Sequence, residues 1–346
     1  VQEDLGGERG PTPFNIKITK GNIMVVLADL IQRDQYDREV LRQSLRKSVL
    51  YNSGLIVKDP NLRKKMMANV GSTFEFDYFY DLADNEGRIS DDSNTLATTD
   101  GINTGTDVAV GNYRNRSWGA RNITANLSHT GDPMLAIASR VGAYWARQMD
   151  YTTLSIVKGI LADNTANDGS DMVNDQTGNA VDINMILDTQ QTAGDAQDMF
   201  GVMICHSAIR TKLKKDGVTD RIYDPATGKF LYEALGGLRL VITDAVDSPS
   251  AGNYTSYIIG GGMIGYGEGK PKMAHEVERT AAIGNGAGEE TLWERKNFCL
   301  HPYGFSFQKA AMASTSPTNA EFEQAANWDR TADRKRIPFA ALISSI

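Results

Sequence analysis

The strongest pattern of apolar and polar positions in this chain is helical. Met134, Ala138, Val141, Trp145, Met149, Thr152, Ile156 and Ile160 recur at spacings of three and four, which is one mostly apolar stripe, while Arg140, Arg147 and Lys158 fall on another side. Asp132 suits the position before the helix, because its carboxylate can accept the free N–H groups of the first turn. Pro133 suits the first helical position, where a missing N–H costs nothing. The spacing predicts a helix over 132–162, roughly 45 Å long at ~1.5 Å per residue. Average helices have roughly 11–12 residues. A helix this long with no catalytic group on it is a structural spine, with Val141, Trp145, Met149 and Ile156 as its core-facing residues.

Shorter patterns flank the spine. A helix over 34–50 turns Val40, Leu41, Leu45 and Val49 to one face and carries Arg38, Arg42 and Arg46 as a row at four-residue spacing. Such a row is ordinarily a solvated face; it also suits an acidic neighbouring subunit or packaged nucleic acid. Asp59-Pro60 opens a short helix through Met67. Phe74, Phe76, Tyr78 and Tyr80 then alternate with Glu75, Asp77, Phe79 and Asp81, a strand period. A long polar tract follows, and a second strand-like segment, 108–126, returns from it. About 50 residues with few aliphatics, leaving and re-entering beside the spine, describe a protruding two-stranded arm. An isolated ribbon of this kind is barely stable in water, so it needs a surface to rest on, and a partner subunit is the natural one.

Beyond the spine the pattern predicts a polar loop over 163–179, a helix over 183–191 capped by Asp182, a buried strand over 200–205, and a helix over 207–216 that ends at Gly217. Strands follow over 238–243, 254–259, 277–283, 292–300 and 305–308, with Gly284-Asn285-Gly286-Ala287-Gly288 as a hairpin turn. The tail adds a short helix over 319–327 and an apolar strand over 337–343. The class is α+β with mostly antiparallel pairing.

Composition narrows the function. The 346 residues suffice for two or three cores, and 41% hydrophobic with 23% charged residues is ordinary soluble composition. A net charge of −7 argues against a chain that mainly coats nucleic acid. Cys205 and Cys299 are the only cysteines, so no disulfide framework is expected. Residues 1–22 are turn-rich and lack the apolar core of a signal peptide, and the most apolar window, 257–266, is too short for a bilayer. No membrane partner is expected.

Candidate chemistry is sparse. Gly260-Gly261-Gly262-Met263-Ile264-Gly265 resembles a phosphate-binding fingerprint only superficially. The residues after it, Tyr266-Gly267-Glu268-Gly269-Lys270-Pro271, cannot start the helix that the motif needs, so close strand packing is the better reading. Cys205-His206 and Cys299-x-His301 bring at most three metal ligands to one side, whereas structural zinc takes four. Asp163, Thr165 and Asn167 begin like a calcium loop, but Asp168 stands where glycine is required. No nucleophile elbow, metalloprotease, kinase or P-loop signature occurs. The expectation is a protein without cofactor or metal, and not an enzyme.

The order of arm, spine and compact α+β region resembles the major capsid proteins of tailed bacteriophages, with their Hong Kong 97-like fold. Gly131-Asp132-Pro133 and Tyr144-Trp145-Ala146-Arg147 resemble that family's spine. Val202-Met203-Ile204-Cys205-His206-Ser207, Leu292-Trp293-Glu294-Arg295-Lys296-Asn297-Phe298 and His301-Pro302-Tyr303-Gly304-Phe305 are similar to later strands of one branch. Pro317-Thr318-Asn319-Ala320-Glu321, Asn327-Trp328-Asp329-Arg330 and Arg334-Lys335-Arg336-Ile337-Pro338 are similar to its tail. The resemblance spans the chain from about residue 30.

The resemblance implies a structural function: a major capsid protein that self-assembles into the icosahedral head shell around double-stranded DNA. It implies an N-arm over 1–55 and a peripheral P-domain over 56–70 and 126–194. It also implies an E-loop over 71–125, an axial A-domain over 195–300, and return strands with the tail over 301–346. The implied partners are copies of the chain in hexameric and pentameric capsomers and DNA bound without sequence preference. Portal, scaffolding and decoration or cement proteins are further implied, with assembly in the host cytoplasm and residence in the virion. Arg38, Arg42, Arg46, Arg88, Arg114 and Arg116 are the candidate assembly residues. Some members weld subunits through an arm lysine, but residues 71–125 contain no lysine, so non-covalent closure is expected. An encapsulin-like cellular compartment and an unrelated α+β enzyme with a carboxylate pair are the alternative readings.

Overall fold

A computed structural model describes residues 48–346 apart from 69–70, 81, 83–84, 91, 93–95, 97–98, 128–132, 224, 226–227, 247–251, 311 and the Leu135 side chain. The Arg38, Arg42 and Arg46 row and the Asp132 cap lie outside the described residues.

In chain order the described part opens with helix α1 (Val49–Asn52), strand β1 (Ile56–Lys58) and helix α2 (Pro60–Met67). The arm strands are β2 (Thr73–Phe79) and β3 (Thr104–Arg121), followed by helix α3 (Asn122–Leu127) and the spine, α4 (Pro133–Asn167). Then come β4 (Val173–Ala180), α5 (Ile183–Gln191), β5 (Phe200–Cys205) and α6 (Ser207–Lys215). Strands β6 (Asp220–Tyr223), β7 (Phe230–Leu235), β8 (Leu238–Ile242), β9 (Tyr254–Gly260) and β10 (Ile264–Gly269) lead to the hairpin of β11 (His275–Thr280) and β12 (Glu289–Pro302). Strand β13 (Phe305–Phe307), helix α7 (Asn319–Phe322), β14 (Trp328–Arg330) and β15 (Phe339–Ser345) complete the chain.

Two sheets organise these elements. One has the order β1-β10-β12-β3-β2, with β11 also paired to β12; the other has the order β4-β15-β9-β5-β8-β7-β6, and β13 pairs with β14 apart from both. Pairing is mostly antiparallel, with β1/β10, β4/β15 and β5/β8 parallel. The strands within 195–300 fall in both sheets. Those up to Gly260 join the second sheet together with the C-terminal strand, and 264–302 joins the arm strands in the first.

The spine is 35 residues long and packs between these layers. Met134, Val141, Trp145 and Met149 are buried along one side. From Thr152 to Val157 every residue is buried, as befits a helix that enters the centre of a molecule. Ile156, Val157 and Ile160 share the main core with Tyr257 and Ile259 of β9, Phe298 and Leu300 of β12 and Phe339 of β15. The tail closes over the spine at Gly159, where an added Cβ would sit 1.9 Å from the Phe322 carbonyl oxygen. There the Trp328 indole N–H donates to that same oxygen at 2.7 Å, and Phe307, Phe322 and Trp328 form an aromatic cluster.

Several expectations need correction. The polar stretch 163–179 is not a loop: the spine continues to Asn167, and β4 pairs in parallel with the buried β15. As the outer strand of its sheet, β4 keeps its polar side chains in water while its backbone is paired, so alternation of apolar residues never marks it. Strand β10 was hidden by its glycines, which replace the apolar residues of one face. Helix α2 lies directly on that face. A Cβ at Gly265, Gly267 or Gly269 would stand 2.7–2.9 Å from atoms of Leu62 or Met66.

Candidate assembly surfaces

The root of the arm is built into the body. Phe74, Ala109 and Val110 are buried, with Leu62, Met66 and Cys299 around Phe74 and Ala109. Ser306 accepts from the Val108 amide at 3.1 Å, Tyr78 donates to the Thr331 carbonyl at 3.3 Å, and His301 meets Asp107 at 2.9 Å. The ribbon then leaves the body. The Tyr80 amide donates to the Asn103 carbonyl at 2.9 Å and closes the last pair before the connecting loop.

Beyond that pair the described residues are in solvent. Leu82, Ile89, Leu96 and Ile102 are exposed there, Ile89 at 93% and Leu96 at 90%, and Phe79 and Tyr80 are exposed at the end of the ribbon. Isolated exposed apolar residues are common, but six along one protruding arm form an apolar surface left exposed among the described residues. Arg88 pairs with Asp100 at 3.0 Å across the loop, with both side chains largely hydrated. Arg88 is thus an internal tie of the arm as well as a surface charge.

The two other candidate arginines of the arm, Arg114 and Arg116, differ from each other. Arg114 is half-buried and donates to the Pro317 carbonyl, and its guanidinium is held below its usual pKa by burial against the pull of Glu321. It fixes the tail rather than offering a free charge. Arg116 is exposed, opposite Glu294 in the register of β3 and β12. Next to it, Trp118, Tyr144 and Trp145 pack edge to face, and Lys296 lies 5.9 Å over the Trp145 ring. Burial pushes the Lys296 ammonium down to about 8, opposed by Glu268 and Glu294.

The candidate ligands of the sequence have structural posts. His206 caps α6, accepting from the Ala208 amide at 3.1 Å through Nδ1, and His301 holds the arm through Asp107. Cys205 and Cys299 are fully buried, and burial pushes the Cys205 thiol up to about 12. Asp163 and Asn167 lie within the spine, where Asn167 donates to Asp163 at 2.6 Å.

Sequence reasoning missed the buried Glu233 of β7. It accepts from Arg210 at 2.7 and 2.9 Å and pairs with Lys214 at 2.6 Å, and these partners pull its carboxyl down to about 2. The lysine-rich last turn of α6 was visible in the sequence, but its partner on another element was not.

A protruding arm, a long spine and two flanking sheets are the geometry of a chain made to interlock with copies of itself. The family model for Gp13-like proteins, "Major capsid protein 13-like", matches residues 66–337. The chain belongs to the Gp13-like family of major capsid proteins. The major capsid protein of Bacillus phage SPP1 is 30% identical over 316 residues, which covers 90% of this chain and 95% of the relative. Among solved structures, a chain of Microbacterium phage Oxtober96 matches with TM-score 0.53 at 12% identity, covering 86% of this chain and 90% of that one. The capsid of Ralstonia phage GP4 matches with TM-score 0.53 at 12% identity, covering 87% and 92%. The Cyanophage Pam1 capsid asymmetric unit matches with TM-score 0.52 at 9% identity, covering 87% and 93%. At such identities these structures establish the fold alone, the Hong Kong 97-like one.

This capsid protein is a structural component of a tailed-phage virion. These comparisons give no support to the cellular compartment shell or the carboxylate enzyme.

Proposed function

We propose that this major capsid protein closes an icosahedral head by laying the arm of each copy across its neighbour within hexameric and pentameric capsomers. The observation that carries this reading is the exposure of Phe79, Tyr80, Leu82, Ile89, Leu96 and Ile102 on the arm. Burying this patch on a second copy removes apolar surface from water at about 25 cal/mol per Å². The sheet of β1, β10, β11, β12, β3 and β2, with the spine, serves as the peripheral P-domain and the root of the E-loop. The sheet of β4–β9 and β15 serves as the axial A-domain. The shell encloses double-stranded DNA without sequence preference and assembles in the host cytoplasm. Portal, scaffolding and decoration proteins are its expected partners. Arg116 and the Arg38, Arg42 and Arg46 row are its candidate contact charges.

Deletion of residues 82–103 tests the reading. The deletion spares 104–110, which pair with β2 and hold Ala109 and Val110 in the core. The expected product has native-like circular dichroism and forms few or no shells by electron microscopy, whereas the full chain forms closed particles. Normal shells from the deletion would overturn it.

A further inference from the structure

A pocket of about 560 Å³ opens between β1, the start of α2 and β10, lined by Lys58, Arg63, Lys64, Met67, Tyr266 and Glu268 among others. No side chain of Lys58, Arg63 or Lys64 makes a hydrogen bond or ion pair among the described residues, and all three residues are exposed. Tyr266 is 2% exposed, yet its hydroxyl has no hydrogen-bond partner among the described residues. The Tyr266 ring belongs to the main core, so the pocket's binding chemistry rests on its charged rim. Asp59, at the rim, is already used: it accepts from the Asn61 amide at 2.7 Å and the Tyr303 hydroxyl at 2.9 Å. Glu268 is the remaining acidic group; burial keeps its carboxyl above the usual range against the pull of Lys296, Arg63 and Lys58, so the rim's cations are balanced in part by this one carboxyl. Val57 and Met67, 49% and 44% exposed, add an apolar margin. Strand β1 is the outermost strand of its sheet. The site wants an acidic segment that also carries aliphatic side chains.

We propose that this pocket receives the arm loop of a second copy of the chain. The claim rests on the reading that the arm crosses a neighbour, and it adds the seat. Residues 82–103 hold five carboxylates against the single Arg88, a net charge of −4, interleaved with Leu82, Ile89, Leu96 and Ile102. Glu86, Asp92 and Asp100 of this loop are exposed. Charge complementarity of this kind selects the register of docking and penalises wrong pairings. Residues 1–47, another occupant that the chain could supply, hold seven acidic and eight basic residues, a net charge of +1, and do not complement a basic pocket.

Two experiments on the full chain test the seat. The first replaces Arg63 and Asp92 by cysteine together, with each single replacement as control; the two native cysteines are buried and give a clean background. Shells assembled from the double variant should show dimers and higher multimers on a non-reducing gel that collapse on reduction, and the single variants should show none. Shells without such multimers would overturn the seat while leaving the arm-over-neighbour reading intact, because shell formation itself reports on that reading. The second experiment reverses charge. Arg63→Glu with Lys64→Glu, or Glu86→Lys with Asp92→Lys, should each lower shell yield about tenfold, since like charges then meet at the contact. All four together should restore it. No recovery in the combined variant would count against the seat. So would an Arg63→Glu, Lys64→Glu protein that assembles normally and only loses DNA retention, which would assign the pocket to phosphate.

Discussion

Asp163 shows what a single residue does at the end of the spine. Its side chain is 1% exposed, one of its oxygens has no hydrogen-bond partner among the described residues, and burial pushes its carboxyl up to about 6. Asp168 and Asp329 push in the same direction; Asn167 and Arg330 oppose. Arg330 is itself engaged with Asp168 at 3.6 Å and Asp171 at 2.8 Å. Because the folded pKa lies above the ordinary value, the folded chain binds more protons than the unfolded chain between about 4 and 6. Stability contributed by this group therefore falls as pH rises through that window. Asp163→Asn keeps an acceptor for Asn167 and removes the buried charge. Urea denaturation of the isolated subunit should show the variant about 2 kcal/mol more stable than the parent at pH 7.5, with the difference vanishing towards pH 4. A difference that is constant with pH would show that Asp163 does not titrate there. Glu233 has the opposite character: its carboxyl is lowered by Arg210 and Lys214, so its contribution is present above about 4.5 and is lost as pH falls through about 2.

Among the elements, the spine and the tail are matched through one missing side chain. Gly159 stands in the buried part of α4, where helix propensity alone favours alanine by about 1 kcal/mol. A methyl group there would meet the Phe322 carbonyl oxygen at 1.9 Å and the Trp328 indole nitrogen at 2.4 Å. The first is backbone and cannot rotate away. Gly159→Ala should therefore destabilise the subunit by roughly 2 kcal/mol or more despite the gain in propensity. Intrinsic fluorescence should report the loss of Trp328 packing in the same variant. An unchanged melting temperature would mean that the tail is not seated on the spine as described. The glycines of β10 play the same part under α2, so that two helix contacts of this protein depend on residues with no side chain.

At the scale of the molecule, the arm sets how the shell is held. No lysine lies between Gly71 and Ala125. The arginines there stay protonated and cannot attack a carboxamide. Both cysteines are free and buried. Closure is then expected to be non-covalent, through arm packing, strand pairing and charge pairs. Mature particles boiled in detergent should run as one band near 37.8 kDa. A ladder that survives reduction would refute this and direct attention to Lys58, Lys64 and Lys65.

The sequence by itself determined the elements whose signal is local. The 3.6 period of residues 134–160 specifies a long helix, the alternation from Phe74 to Tyr80 specifies a strand, and Asp59-Pro60 and Asp182 mark helix starts, because caps and periods act within a few residues of the chain. The run of short similarities from the spine to Pro338 was enough to name the family. Tertiary structure alone decided what depends on distant partners. Strands β4 and β10 carry no alternation; β4 exists because β15 pairs with it, and β10 because β1 and β12 pair with it beneath α2. Arg114 was legible as an arm charge, but only the fold turns it onto the Pro317 carbonyl. Glu233 meets Arg210 and Lys214 only because α6 packs against the sheet that holds β7. The division of 195–300 between two sheets also belongs to the fold, since strand pairing is set by which backbones meet, and a residue's partner across a sheet is not written beside it in the chain.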